Sequence, residues 1–172
     1  MDTNFREKSD YNKYFMKVGD KALDFTLFSY SGQRYSLYGT HGYVVLVFYK
    51  VTCPTCQLTL PFVEKMYKLY GDKITFYGIV QDGPKDAEDF ARRYSLTFPQ
   101  LLDYPDYKVS ESYLVEVVPT IYLVNEEKLI EFVSSSFVKK DLENLIRKLS
   151  LVAQRPEQDI FEGTQVPVFK PG

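Results

Sequence analysis

The sequence predicts an α/β domain, a mixed β-sheet flanked by helices on both faces and entered through an N-terminal β-hairpin. Three observations carry this expectation. Tyr43 to Tyr49 (YVVLVFY) and Lys73 to Gln81 (KITFYGIVQ) are β-branched and aromatic runs. The first lacks any polar alternation, the pattern of a strand covered on both faces. Between the two runs lies a segment with apolar residues at helical spacing, so strand, helix and strand follow one another. That alternation implies parallel pairing within each βαβ unit. Near the end, Val117 to Asn125 and Lys128 to Ser134 flank the tight turn Glu126-Glu127, which reads as an antiparallel pair at the sheet edge.

The elements follow in order. Residues 1–17 set Phe5, Tyr11, Tyr14 and Phe15 among charges and read as an arm packed on the domain. Ala22 to Tyr30 alternates loosely, with Leu23, Phe25 and Leu27 on one face. Ser31-Gly32-Gln33 turns the chain into a partner strand, Arg34 to Tyr38. The first helix starts at Cys53 or Pro54 and runs to about Tyr70, where Gly71-Asp72 stops it; its buried side carries Cys56, Leu60, Val63, Tyr67 and Tyr70. After the second buried run, Asp86 to Tyr94 is a short helix with Ala87, Phe90, Ala91 and Tyr94 inward. Phe98 to Leu102 suits an edge strand, which tolerates Pro99. Asp106 to Tyr113 is another short helix. Leu142, Leu145, Ile146 and Leu149 mark a last one over Val138 to Leu149. The domain thus spans residues 18–150. Residues 151–172, with Pro156, Pro167 and Pro171, form an extended tail that Phe161, Val166, Val168 and Phe169 could dock.

Composition removes several function classes. The chain has 172 residues and a formal net charge of -2, with no basic run or basic-aromatic interleaving, so a nucleic-acid surface is not expected. No segment approaches the ~18 consecutive apolar residues of a membrane span. The polar N-terminus lacks an apolar signal core, so the expected location is cytoplasmic as written; a mature exported form restarted at Met1 would read the same. The chain's 15 Tyr and 13 Phe serve packing before anything else. Its single histidine, His41, leaves a Cys/His zinc site without enough ligands, and no metal is expected.

Only two cysteines occur, Cys53 and Cys56. A CxxC pair between a buried strand and a helix, inside a βαβ pattern, is the context of redox chemistry. Cys53 caps the helix, and Pro54 takes the first helical position, where its missing N–H costs nothing. The unpaired N–H groups of the first turn point at the Cys53 sulfur and favour its thiolate. Cys56 lies one turn deeper. An exposed nucleophile over a sheltered partner makes a reversible dithiol/disulfide couple. The bland alternative is two buried structural cysteines on a helix.

Three stretches in order, Gly19-Asp20-x-Ala22-x-Asp24-Phe25-Thr26-Leu27, the run VVLVFYKVTCPTC and Val118-Pro119-Thr120, resemble the thioredoxin-like thiol-disulfide oxidoreductases. The TlpA-like and AhpC/TSA (redoxin) branches are the most similar. The resemblance covers about residues 18–149. It implies the thioredoxin fold, Cys53 as attacking thiol, Cys56 as resolving thiol, and a redox-active Cys53–Cys56 disulfide in place of any cofactor. Pro119 matches the cis-proline that faces the active site, and Val118 pairs through its backbone with a substrate chain. Thr52, Pro54 and Thr55 join these two in the implied substrate-binding surface. The implied partners are disulfide- or thiol-bearing proteins or small molecules, and a redox partner protein.

The departures from the pattern are specific. Thr52 stands where a Trp usually precedes the first cysteine, and Pro54-Thr55 replaces thioredoxin's Gly-Pro. The buried acid six residues before the first cysteine is Val47. The acid three residues after the second is Thr59. The proton acceptor for Cys56 is therefore unassigned, with water or a carboxylate distant in sequence as candidates. Lys50 could support the Cys53 thiolate electrostatically or simply be solvated. A peroxiredoxin-like peroxidase with Cys53 as the peroxidatic cysteine is the alternative. It would call for a Thr three residues before the cysteine and a Pro seven before, where this chain has Lys50 and Leu46. A non-catalytic partner-binding module is the third reading.

Overall fold

The structure, a computed structural model, describes residues 16–172. The expected arm of residues 1–17 lies outside it except for Met16 and Lys17. Strands β1 (Thr26–Phe28) and β2 (Arg34–Ser36) form the antiparallel hairpin that opens the domain. Then come β3 (Val44–Tyr49), α1 (Pro54–Tyr70), β4 (Thr75–Val80), α2 (Pro84–Arg93), β5 (Gln100–Leu102) and α3 (Lys108–Ser112). The chain finishes with β6 (Thr120–Val124), β7 (Ile130–Ser135), β8 (Phe137–Val138), α4 (Lys139–Ala153) and β9 (Phe169–Lys170).

The main sheet has the order β5-β4-β3-β6-β7. The two βαβ units give parallel pairing of β3 with β4 and of β4 with β5, while β6 and β7 are antiparallel. All six residues of β3 are buried, as expected of a central strand. Val45, Val47 and Tyr49 point to one core, formed with α1, α2, α4 and the tail. Val44, Leu46 and Phe48 point to the other, formed with Ala22, Phe25, Leu37 and the α3 residues around Val109 and Tyr113. Both faces carry a helix, but the three long ones share the first face. Gly78 in β4 fits this packing. A Cβ there would collide with the side chain of Gln100, whose Oε1 accepts the buried Tyr49 hydroxyl at 2.7 Å.

The segment expected as a strand from Ala22 to Tyr30 is shorter, and Leu23 does not share a buried face with Phe25: it is 43% exposed while Phe25 is buried. The cause is that residues 19–22 leave the hairpin and pair with the start of β7. Gly19 N–H donates to the Ile130 carbonyl at 2.8 Å, Ile130 N–H to Asp20 at 2.9 Å and Ala22 N–H to Lys128 at 2.8 Å. Asp24 then accepts the N–H groups of Phe25 and Tyr38 through Oδ1, both at 2.9 Å, and tucks the hairpin against this segment.

The last helix runs to Ala153, four residues past Leu149, before Gln154 ends it in a left-handed turn with φ 53°. The tail beyond it retraces α1 from its C-terminal end to its N-terminal end. Arg155 makes two hydrogen bonds to Asp72, and its Nη1 also donates to the Leu69 carbonyl at 2.7 Å. Lys65 donates to the Ile160 carbonyl at 3.2 Å, and Phe161 lies on Phe62 with ring centroids 4.7 Å apart. Ile160 and Phe161 are buried and Val166 packs partly buried on the same core, so the tail docks through them; Val168 and Phe169 instead face solvent. Near its end β9 pairs antiparallel with β8. No helix among the described residues is long and apolar enough to cross a membrane.

Candidate active site

Strand β3 delivers the chain through Lys50-Val51-Thr52 to the head of α1. Val51 N–H is held by the Asp82 carboxylate at 2.9 Å, from the loop after the parallel neighbour β4. Gln57 Nε2 donates to the Val51 carbonyl at 2.9 Å, and Cys53 N–H to Lys50 at 3.3 Å. The turn is thus clamped by its own helix and by the adjacent strand. Cys53 is the N-cap of α1, in extended conformation, with Pro54 in the first turn. Its sulfur accepts the Cys56 N–H at 3.2 Å, one of the donors that a helix start leaves without an intrahelical partner. The same sulfur lies 3.6 Å from the Val118 carbonyl, to which the thiol donates.

Both cysteines are free thiols. They differ in surroundings. Cys53 is half-exposed, while Cys56 is wholly buried between α1 and the sheet. Burial pushes the Cys56 thiol well above its ordinary value of 9.0 and the hydrogen bond with Cys53 adds to this; the Lys50 backbone opposes it, and electrostatic repulsion involving Cys53 and Asp82 contributes least. Asp82 is the residue that sequence reasoning did not single out. Twenty-six residues separate it from Cys56, and only the parallel pairing of β3 with β4 brings its charge to bear on that sulfur.

The Val118–Pro119 peptide bond is cis, and Pro119 is buried at the entry to β6. The Val118 carbonyl faces Cys53, which joins residues 65 positions apart. Pro119 is held from below, because Ser136 N–H donates to its carbonyl at 2.9 Å. Of the other residues singled out, Thr52 and Pro54 are exposed beside Cys53, whereas Thr55 is 2% exposed. Its hydroxyl donates to the Pro171 carbonyl of the tail at 2.5 Å. Lys50 is exposed and its ammonium sits 5.6 Å from the centroid of the Tyr107 ring. Its backbone carbonyl meets Cys53, and its side chain is directed to that ring. His41 is exposed in the loop before β3.

A buried strand, a helix capped by one cysteine with a second a turn below, and a cis-proline facing the cap form the thioredoxin arrangement. The sequence pattern of the AhpC/TSA family matches residues 18–133. The chain belongs to the AhpC/TSA family. Among its relatives, the thioredoxin-like protein YneN of Bacillus subtilis is 32% identical over 134 residues, 74% of this chain and 78% of YneN. The thiol-disulfide oxidoreductase ResA of Geobacillus thermodenitrificans is 28% identical over 141 residues, 80% of each chain. Among solved structures, the thioredoxin domain of a thiol-disulfide oxidoreductase from Bacteroides vulgatus superposes with a TM-score of 0.68 at 27% identity, covering 77% of this chain and 97% of that domain. The fold of this AhpC/TSA member is therefore thioredoxin-like, and two of these three proteins are named thiol-disulfide oxidoreductases.

Proposed function

We propose that the protein is a thiol-disulfide oxidoreductase in which Cys53 attacks and Cys56 resolves. The observation that supports this best is the unequal setting of the two sulfurs. Cys53 sits half-exposed at a helix cap, with an N–H donor on its sulfur that strengthens as negative charge develops there. Cys56 is buried and held as a thiol, so it does not compete for incoming substrate.

The Cys53 thiolate attacks one sulfur of a substrate disulfide, forming a mixed disulfide and expelling the other substrate sulfur as a thiolate. Cys56 loses its proton and attacks the Cys53 sulfur. The Cys53–Cys56 disulfide forms and the second substrate thiolate leaves. The protein has given up two electrons and the substrate has gained them; the reverse sequence oxidises a dithiol. A redox partner returns the couple to its starting state. The exposed Thr52 and Pro54, with the Val118–Pro119 backbone, are the surface on which a substrate lies, and Val118 pairs with a substrate main chain. Asp82 bears on the second step. Burial keeps Cys56 protonated at rest and the Asp82 charge adds a smaller contribution in the same direction; this carboxylate is the candidate through which the proton is relayed to solvent.

Trapping tests the assignment. A Cys56→Ser protein should accumulate mixed disulfides through Cys53, identified by mass spectrometry, while Cys53→Ser accumulates none. Absence of trapped disulfides in Cys56→Ser, together with peroxide consumption faster than a free thiol and lost in Cys53→Ser, would replace this reading with a peroxidase.

A further inference from the structure

Thr55 stands between the two cysteines, yet it is 2% exposed. What accepts its hydroxyl is the last stretch of the chain itself. Thr55 Oγ1 donates to the Pro171 carbonyl at 2.5 Å, and Gly172 N–H donates to Ser136 Oγ at 3.0 Å. Ser136 is the residue whose own N–H holds Pro119. Gly172 lies so close to the backbone beside the proline that a Cβ on it would collide with the Val118 carbonyl and come within 2.8 Å of Val117 Cγ1. That carbonyl is the one facing the Cys53 sulfur. Residues 171–172 therefore occupy the main-chain surface beside Cys53. No second chain can lie there while they do.

The way this segment is held is equally informative. β9 pairs with β8, and Lys139 N–H donates to the Val168 carbonyl at 3.0 Å. Yet Val168 is 76% and Phe169 57% exposed, and of the apolar residues here only Val166 packs, partly buried, on the core. The attachment is mostly hydrogen bonding, to β8 and to the Thr55 and Ser136 hydroxyls, each bond of modest net strength because water replaces it on release. The firm anchors of the tail, Arg155, Ile160 and Phe161, lie further back on α1. The end segment can leave without loosening them.

Resting on the oxidoreductase reading, we propose that residues 166–172 are a self-docked substitute for substrate. Phe169–Lys170 pair with β8 and lead Pro171 and Gly172 onto the backbone beside Cys53, and a disulfide-bearing polypeptide must displace them to react. The groove so defined takes an extended main chain with no side chain above Val118. It discriminates between substrates: a polypeptide competes with the strap, whereas a small disulfide needs only the half-exposed sulfur.

Gly172→Val tests this without shortening the chain, since the added side chain has no room above Val118. A second variant ends at Gln165 and keeps the Arg155, Ile160 and Phe161 anchors. Each is compared with the unaltered protein on an unfolded, disulfide-bearing polypeptide and on a small linear disulfide such as dithiobis-nitrobenzoate. Both variants should show a KM for the polypeptide lowered about tenfold, the factor that ~1.4 kcal/mol of competition imposes through the unstrapped fraction. Their rates on the small disulfide should match the unaltered protein. A synthetic peptide of residues 164–172 should restore the higher KM to the shortened variant. Equal polypeptide kinetics in all three proteins would overturn the strap and leave the oxidoreductase standing. A parallel rise on both substrates would overturn it as well, by showing a general change at Cys53. If none of the three reacts with either disulfide, the oxidoreductase reading fails and the strap falls with it.

Discussion

The two faces of the central sheet are built from different materials and do different work. The face under α1, α2 and α4 is largely aliphatic and phenylalanine-rich, and it encloses Cys56. The opposite face is tyrosine-rich and pinned by polar anchors. Tyr113 packs on Phe48 at 5.3 Å between ring centroids and on Tyr122 at 5.6 Å, and its hydroxyl donates to the Leu23 carbonyl. The buried Asp103 carboxylate accepts Val109 N–H at 3.0 Å, Ser110 N–H at 2.7 Å and the Ser110 hydroxyl at 2.7 Å, which fixes the start of α3. The Gly19 to Leu27 motif belongs to this second face, through Asp20, Ala22, Asp24 and Phe25. One of the three stretches that mark the family in the sequence is thus scaffolding. The two cysteines lie on the first face and at the rim where Val118 meets Cys53.

That division can be broken deliberately. The largest effect is expected from Cys53→Ser, which should abolish disulfide turnover in a kinetic assay while leaving the thermal midpoint within a degree or two of the unaltered protein. Tyr113→Ala should do the converse. It removes a buried ring and should cost about 3–5 kcal/mol in denaturant titration, with the alkylation rate of Cys53 unchanged in the protein that remains folded. Asp103→Ala should cost ~1–3 kcal/mol, because three donors at the start of α3 lose their acceptor in a buried place.

The smaller effects sit on the cysteine face and depend on pH. Cys56 is raised by burial, so the native state holds its proton where the unfolded chain releases it. The stability this confers is fully present below the ordinary value of 9.0 and is lost as pH rises beyond it. The reduced protein should therefore lose stability more steeply above that pH than Cys56→Ala, measured by urea titration at successive pH values. Asp82→Asn removes one of the smaller contributions that raise Cys56, and should move the onset of Cys56 alkylation to lower pH while the Cys53 alkylation rate at neutral pH stays the same. A changed Cys53 rate would mean that the clamp on Val51, and not the charge, is what Asp82 supplies.

Much of the scaffold was legible because its signals are local. Pro54 at the first helical position and Gly71 after the last bound α1 to Pro54–Tyr70, within a residue of the expected limits. The unbroken apolar run placed β3 at the centre. Leu23 misled because residues 19–22 pair with Lys128 to Ile130, and a pairing partner more than a hundred residues away leaves no local periodicity. The cysteine pair was equally plain, yet two neighbours that define its surroundings were not. Asp82 reaches it through sheet register, and Pro171 through a two-residue strand too short to show any alternation. Tyr67 is only partly buried, while Thr59 and Glu64 are buried on the same helix. The reason for Glu64 is a pair of hydrogen bonds to Thr97, at 2.6 and 2.7 Å, from the loop before β5.

The path of the tail along α1 bears on how the protein senses what surrounds it. A 17-residue helix is about 25 Å long, and the chain is fastened near one end of it by Arg155 and midway by Ile160 and Phe161. Residues 166–172 follow these anchors after a few residues. Tethers of this kind present their ends at an effective concentration in the millimolar range, whatever the concentration of the protein. Dilution cannot weaken such an occupant. A polypeptide that engages Cys53 must therefore offer several contacts at once or be abundant, and isolated weak encounters are screened out by the molecule itself.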